Sequence, residues 1–303
     1  MSTIIILGGG GFLAGHIACH YQKLGWRVVS VGRAAAASVG HARHVWNLPH
    51  PEFKHLLVVE QPHICVNAAG RASVPASTVE PLADFESSTL LDYRILDDLR
   101  RCSPATIYIL LSSAAVYGNP STLPVDEDAP IAPISPYGWH KRLSEVVLEE
   151  HARLFRLKVA ALRIFSAFGA GLQRQVVWDL AVKARAASSG HLMLQGCPDD
   201  SRDFIHGSDV AAAVDIIAKC GELKAECYNV ARGSEVRIKN LAALIARHFG
   251  RAPVLEFDNV RRPGNPSRWF ADIRKLRALG FAPQMSLEDG IAEIVREVVG
   301  HCG

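Results

Sequence analysis

The sequence predicts an α/β fold, a doubly wound parallel sheet followed by a smaller C-terminal α/β lobe. Three observations carry that expectation. Short β-branched runs alternate with helical patterns over the first two-thirds of the chain. The strand runs are apolar without a break, as expected where helices cover both faces of a sheet. Four consecutive glycines, residues 8–11, stand between the first strand and the first helix.

Taken in order, Ile4–Leu7 reads as a strand, Phe12–Leu24 as a helix and Arg27–Val31 as a second strand. Phe53–Glu60 follows as helix, His63–Asn67 as strand and Leu82–Arg101 as one long helix. Ile107–Ser112 is then strand, Tyr137–Phe155 helix and Lys158–Arg163 strand. Strand–helix–strand order of this kind gives a parallel sheet. Beyond about Gly169 the rhythm changes. Short strands (Met193–Gln195, Cys227–Val230, Val254–Phe257) mix with helices (Val176–Ala187, Val210–Lys219, Ile238–Phe249, Leu287–Val299) and Gly/Pro/Asp loops. The expected division is a first domain over 1–168 with a segment returning to it near 203–231, and a second lobe from 169–202 and 232–303.

The 303 residues supply apolar side chains for a sizeable core, 49% of the chain against 21% charged, and show no disorder signature. A net charge of +3 without a clustered basic face argues against nucleic acid as partner. Arg94, Arg100 and Arg101 read as a solvated helix face. No apolar run approaches the ~20 residues of a membrane span, and Met1-Ser2-Thr3 carries no basic leader. Seven scattered cysteines, none in a CxxC pair, fit reduced thiols and a cytoplasmic protein. His16 and His20 lie one helical turn apart but lack a third ligand, so no metal is expected.

The turn Gly8-Gly9-Gly10-Gly11-Phe12-Leu13-Ala14 leaves a strand and opens a helix. Its backbone N–H groups can approach a pyrophosphate, whose charge the helix N-terminus favours. Gly9-x-Gly11-x-x-Ala14 satisfies the dinucleotide fingerprint with Ala at the third small position, which makes the sheet Rossmann-type. At the end of the second strand an acidic residue would bind the ribose of NAD and an Arg the 2′-phosphate of NADP. The strand ends in Arg33, with no acidic residue before Glu52, so NADP(H) is the favoured cofactor and NAD(H) the alternative.

Tyr137 and Lys141 stand at i and i+4, one above the other on a helix face. A free tyrosine titrates near ~10. A cation about 4 Å away is worth roughly 4 kcal/mol at an effective dielectric of 20, about three pKa units. Such a pair can exchange a proton with a hydroxyl or carbonyl. Ser113, at the end of the apolar strand Ile107–Ser112, lies at the sheet edge where ligands bind and can hydrogen-bond the same oxygen.

Glycine turn, SSxxVYG (112–118) and YxxxK (137–141) together resemble the extended short-chain dehydrogenase/reductases, and within them the NAD-dependent epimerase/dehydratase family acting on nucleotide sugars. Asn67-Ala68-Ala69-Gly70 looks like the family's segment lining the nicotinamide, and Asn47-Leu48 stands where the family has an Asp touching adenine. Leu162-Arg163-Ile164-Phe165-Ser166 is similar to LRxFN, Arg202–His206 to RDFIH, and Arg262-Pro-Gly-Asn265 to the RxGD loop. The resemblance implies that Arg202 and Arg262 clamp a substrate diphosphate, a task suited to the guanidinium fork. It places Ser166 at a substrate contact where the family has Asn, and Trp269 beside the sugar pocket, where core packing is an equal explanation. Ser88–Asp92 departs from the family's NVxGT segment. Ala114 and Ala115 occupy the positions where dehydratases of this family carry Asp and Glu, which argues against dehydration. What remains is a 4-epimerase, placed slightly ahead, or an NADPH-dependent 4-keto reductase; a non-catalytic NADP-binding sensor would be expected to lack the Tyr or the Lys. The resemblance also implies a homodimer through the helices 82–101 and 137–155.

Overall fold

The strands expected from the apolar runs form, and several shorter ones join them. The computed structural model describes residues 1–33, 42–187, 190–260, 264 and 266–300. Its strands are β1 (Thr3–Leu7), β2 (Arg27–Gly32), β3 (Ala42–Val45), β4 (Ile64–Asn67), β5 (Ile107–Ser113), β6 (Val159–Ile164), β7 (Ser166–Phe168), β8 (His191–Leu194), β9 (Ser201–His206), β10 (Lys224–Val230), β11 (Glu235–Arg237) and β12 (Val254–Phe257). The helices are α1 (Phe12–Lys23), α2 (Phe53–Glu60), α3 (Val74–Val79), α4 (Pro81–Phe85), α5 (Leu91–Cys102), α6 (Pro136–Phe155), α7 (Gln175–Ala186), α8 (Gly207–Cys220), α9 (Ile238–His248), α10 (Arg274–Ala278) and α11 (Leu287–Gly300).

Seven strands make one parallel sheet in the order β10-β6-β5-β4-β1-β2-β3. The order reverses between β1 and β4, and a doubly wound sheet opens its binding crevice at such a point. Register brings Leu7 opposite Asn67 and Asn67 opposite Leu110, so the ends of β1, β4 and β5 share that edge. Ile4, Ile6 and Ile109 pack against Ile17 of α1 and Val214 of α8 on one face. Ile5, Leu7 and Leu110 pack against Leu57, Leu96 and Leu148 of α2, α5 and α6 on the other. Both faces are therefore dry, which is why the strands read as unbroken apolar runs.

The second lobe packs α7, α9 and α11 around Phe168 and Phe204, over small sheets ordered β11-β9-β7 and β12-β8. The chain leaves this lobe after β9, and α8 and β10 return to the first sheet.

Two differences from the sequence reading have local causes. The single helix expected over 82–101 is divided, because Glu86–Leu90 winds as a π-turn between α4 and α5. Within it Ser88 Oγ makes a back-bond to Asp84 O, and Thr89 Oγ1 donates to His140 O of the neighbouring α6 at 2.9 Å. The unexpected strands β3, β7, β9 and β11 run from three to six residues, below or near the length at which periodicity reports a strand. Among the described residues no helix is long and apolar enough to cross a membrane.

Gly118 closes the turn after β5 at φ +63° and ψ −117°, and a Cβ there would meet Ala132 O at 1.9 Å. Gly118→Ala should cost about 2 kcal/mol or more, read as a lower urea midpoint with unchanged slope. A variant as stable as the wild type would show that this turn adapts to a side chain.

Candidate active site

The glycine turn is built by close backbone approach. Gly8 adopts φ +77°, and a Cβ on it would lie 2.7 Å from the Ala68 backbone after β4. Its N–H and that of Gly9 donate to Val31 O at 2.8 and 3.0 Å, and Gly11 N–H returns to Gly8 O at 2.8 Å. The first α1 amide seen to find a helical acceptor is that of Gly15, on Gly11 O at 3.0 Å. The N–H groups of Phe12, Leu13 and Ala14 thus keep the free donors of a helix start, and all three residues line the cleft. A nicotinamide dinucleotide fits this feature, since its pyrophosphate is an anion that such amides and the helix dipole favour.

Across the cleft, α6 is aimed by its cap. Ser135 Oγ accepts from Gly138 N at 3.2 Å, and Pro136 opens the helix. Tyr137 N then donates to Ser77 Oγ of α3 at 3.1 Å. One turn on, Lys141 is buried, and its Nζ donates to Leu111 O of β5 at 2.9 Å. That ammonium lies 5.9 Å from the centre of the Tyr137 ring. Ser113, at the end of β5, accepts from Ala115 N at 3.2 Å and so caps the short turn Ala114–Tyr117.

One cleft of about 620 Å³ joins these groups. It is lined by Gly11, Phe12, Leu13, Ala68, Ala69 and Gly70 on the glycine-turn side, and by Ser113, Tyr137 and Lys141 in the middle. Ser166, Arg202 and Trp269 line its far end. Arg202 donates to Ser201 O at 2.7 Å, and its guanidinium sits 5.5 Å from the centre of the Trp269 ring. Burial lowers the Arg202 pKa, against the opposing charge of Asp200. Trp269 is held by its Nε1 on Gly118 O at 3.2 Å and by an edge contact with Phe165. The neighbouring carboxylate, Asp203, accepts from the backbone N–H groups of Arg232, Gly233, Ser234 and Ala271 at 3.0–3.3 Å. Burial pushes that carboxyl up to about 7, against the pull of those donors.

Other expected site residues lie apart from the cleft. Gly8 and Gly9 sit behind the turn, against Ala68 and Ser30. Arg33 is exposed at the end of β2. Asn47 is exposed past β3, while Leu48 packs against the α2–α5 core. Arg262 lies outside the described residues.

The sequence reading missed a second cavity of about 510 Å³, lined among others by Val176, Asp179, Lys183, Gln195 and Arg202. Arg202 and Val176 border both cavities. It also missed Asp92, which is fully buried and accepts from Asn67 Nδ2 at 2.6 Å and Tyr108 OH at 2.5 Å. Asn67 Oδ1 in turn accepts from Ala69 N at 2.9 Å, so Asp92 of α5 braces the cleft wall beyond β4. Burial, and then the Asp92 charge, push the Tyr108 phenol well up. The departure from NVxGT at Asp92 was the available signal.

A model described as the NAD dependent epimerase/dehydratase family matches residues 4–231. The chain belongs to this family, whose enzymes are of the extended short-chain dehydrogenase/reductase type. It is 27% identical to a UDP-glucose 4-epimerase of Azospirillum brasilense, over 95% of this chain and 89% of that one. It is 25% identical to one of Rhizobium leguminosarum bv. trifolii, over 97% and 95%. Among solved structures it resembles a Thermus thermophilus UDP-glucose 4-epimerase in complex with NAD, with TM-score 0.86, 23% identity and 98% and 99% coverage. RMD from Pseudomonas aeruginosa complexed with NADPH is equally similar in fold, at TM-score 0.86, 22% identity and 99% and 100% coverage.

Asp92→Ala should strand Tyr108 OH and Asn67 Nδ2 in the core, at a cost of about 2–4 kcal/mol. Urea unfolding would report this, and the dissociation constant for the nicotinamide cofactor should rise several-fold. An unchanged dissociation constant would show that Ala69 holds its place without the brace.

Proposed function

We propose that this protein is a nicotinamide-dependent 4-epimerase of nucleoside-diphosphate sugars. The observation that carries the reading is the single cleft with the α1 amides at one end, Ser113, Tyr137 and Lys141 in the middle, and Arg202 with Trp269 at the other. The first end suits a dinucleotide pyrophosphate and the last a substrate diphosphate and its sugar. Relatives that are UDP-glucose 4-epimerases over nearly their full length support the same reaction.

A bound nicotinamide supplies a carbon that can accept a hydride from the sugar and return it. Tyr137 accepts the proton of the C4 hydroxyl as the C4–H electron pair leaves, and Ser113 hydrogen-bonds the oxygen that becomes the ketone. Lys141, fixed by Leu111 O, favours the tyrosinate by its charge. After the 4-keto sugar has turned, Tyr137 returns the proton to the same oxygen and the hydride arrives on the opposite face. The aromatic wall of Trp269 and Phe165 limits the size of the sugar that turns. With Ala114 and Ala115 after Ser113, the chain offers no acid there for eliminating water.

A second reading is an NADPH-dependent 4-keto reductase, favoured by Arg33 at the end of β2. The deciding assay incubates the purified protein with a panel of nucleotide sugars, with and without added NADPH or NADH. The proposal expects C4 inversion by NMR without added reductant, lost by at least about a thousandfold in Tyr137→Phe. Stoichiometric NADPH oxidation on a 4-keto sugar, with no inversion, would establish the reductase instead.

We further propose a homodimer through α6. Trp139, Leu143 and Val146 are 54%, 39% and 43% exposed, and their i, i+4, i+7 spacing makes one apolar face. Tyr93 of α5, 42% exposed, extends the apolar surface to the second helix. The occupant is a second copy, since a two-fold interface covers like faces with each other. Light scattering should give twice the 32.9 kDa chain mass, and Leu143→Glu should give monomer. A wild-type monomer at micromolar concentration would refute the interface.

A further inference from the structure

Under the cleft floor an ion pair is buried one helical turn past Lys141. Glu145 is 2% exposed and Arg163 4%. Arg163 grips both carboxylate oxygens, Nε on Oε1 and Nη2 on Oε2, each at 3.0 Å. Ser112 Oγ adds a bond to Oε1 at 2.7 Å. The third guanidinium nitrogen donates to Tyr117 OH at 2.9 Å and Glu127 O at 3.0 Å. Burial opposes the charge on Arg163, but the hydrogen bonds and charge of Glu145 outweigh it and hold the guanidinium protonated. A buried pair of this kind stabilises a fold little more than apolar residues of the same shape. Its position supplies another use.

Lys141 and Glu145 are i and i+4 on α6, the spacing at which such side chains pair directly. Their heads dock on consecutive residues of β5, the ammonium on Leu111 O and the carboxylate on Ser112 Oγ. Both carboxylate oxygens are nevertheless committed to Arg163, and the ammonium donates to a neutral carbonyl. The other titratable groups packed around this point have partners of their own, and Arg142 adds a second, longer contact to Glu145. His140 holds Asp84 of α4 at 2.6 Å, and Arg142 spans Glu145 and Glu149 at 3.4 and 3.6 Å. Tyr108 of β5 holds Asp92, and Glu127 accepts from Asn229 N at 2.7 Å. The Cys227 thiol of β10 is pushed up to about 12 by burial and then by Glu145. Among the described residues no carboxylate is paired with Lys141.

We propose that Arg163 withholds Glu145 from Lys141, so that the ammonium acts on Tyr137 with its charge uncancelled. Arg163 and Glu145 are positioning residues for proton transfer in this account, which rests on the roles given above to Tyr137 and Lys141. Without Arg163, the carboxylate keeps only the 3.4 Å contact of the partly exposed Arg142, and its charge is left largely uncompensated one helical turn from Lys141. That negative charge offsets the ammonium beside the phenol and disfavours the tyrosinate by about one to two pH units.

The test is a tyrosinate absorbance titration of the full-length protein, taken as the difference from Tyr137→Phe, so that no turnover is needed. Arg163→Met should raise the midpoint by about one to two pH units, and Glu145→Met/Arg163→Met should return it to within about half a unit of wild type. A wild-type midpoint in Arg163→Met, or a double variant displaced as far as the single one, would overturn the inference. Should Arg163→Met fail to fold, the isosteric Glu145→Gln leaves Arg163 as an extra cation and should lower the midpoint; no change or a rise would overturn it. Lys141→Met separates the two layers. If Lys141→Met fails to raise the midpoint, the role of Lys141 itself is wrong. If it raises the midpoint while Arg163→Met does not, only the withholding by Arg163 is wrong.

Discussion

The seating of α6 on strands β5 and β6 is the constraint on which the rest of the site depends. Three bonds fix it within two turns of helix: Lys141 Nζ on Leu111 O, Ser112 Oγ on Glu145, and Arg163 on the same carboxylate. They anchor the helix along the strand and leave Tyr137, one turn nearer the N-terminus, over the sheet edge where Ser113 ends β5. Because strands β4, β1 and β5 end in register, the same edge carries the glycine turn and the Asn67–Ala69 wall. A shift of α6 along β5 would separate the Tyr137 phenol from both.

The second lobe completes the cleft through the segment around β9. Asp203 holds the loop after β10 and Ala271 through four backbone amides, and Arg202 beside it reaches Trp269. The return of α8 against α1 ties that segment to the helix whose N-terminus suits the dinucleotide. The two ends of the cleft are thus tied together through packed secondary structure, and on the proposed reading this favours a fixed distance between hydride donor, phenol and sugar.

What could be read in the sequence followed how local each signal is. The glycine turn and the Tyr137–Lys141 pair each lie within seven consecutive residues, and strand–turn–helix order gives them meaning without the fold. Ser113 was legible because an apolar strand ends there. Asp92 with Asn67, 25 residues away, and Glu145 with Arg163, 18 away, have no characteristic spacing and were found only when the sheet brought them together. The π-turn at Glu86–Leu90 depends on Thr89 meeting the His140 carbonyl 51 residues on, so helical periodicity gave no sign of it. Arg33 was read from its place after β2 and Asn47 from the family resemblance; both are exposed and outside the cleft that gathers Ser113, Tyr137 and Arg202.

The central claim is that the hydride leaves and returns at C4 of the sugar and the proton at the C4 oxygen, under the control of Tyr137. The direct measurement uses the nucleotide sugar that turns over, labelled with deuterium at C4. The account predicts a primary isotope effect on a rate-limiting chemical step, with the deuterium retained at C4 of the inverted product. Loss of the label to solvent, or its appearance at another carbon, would contradict the account.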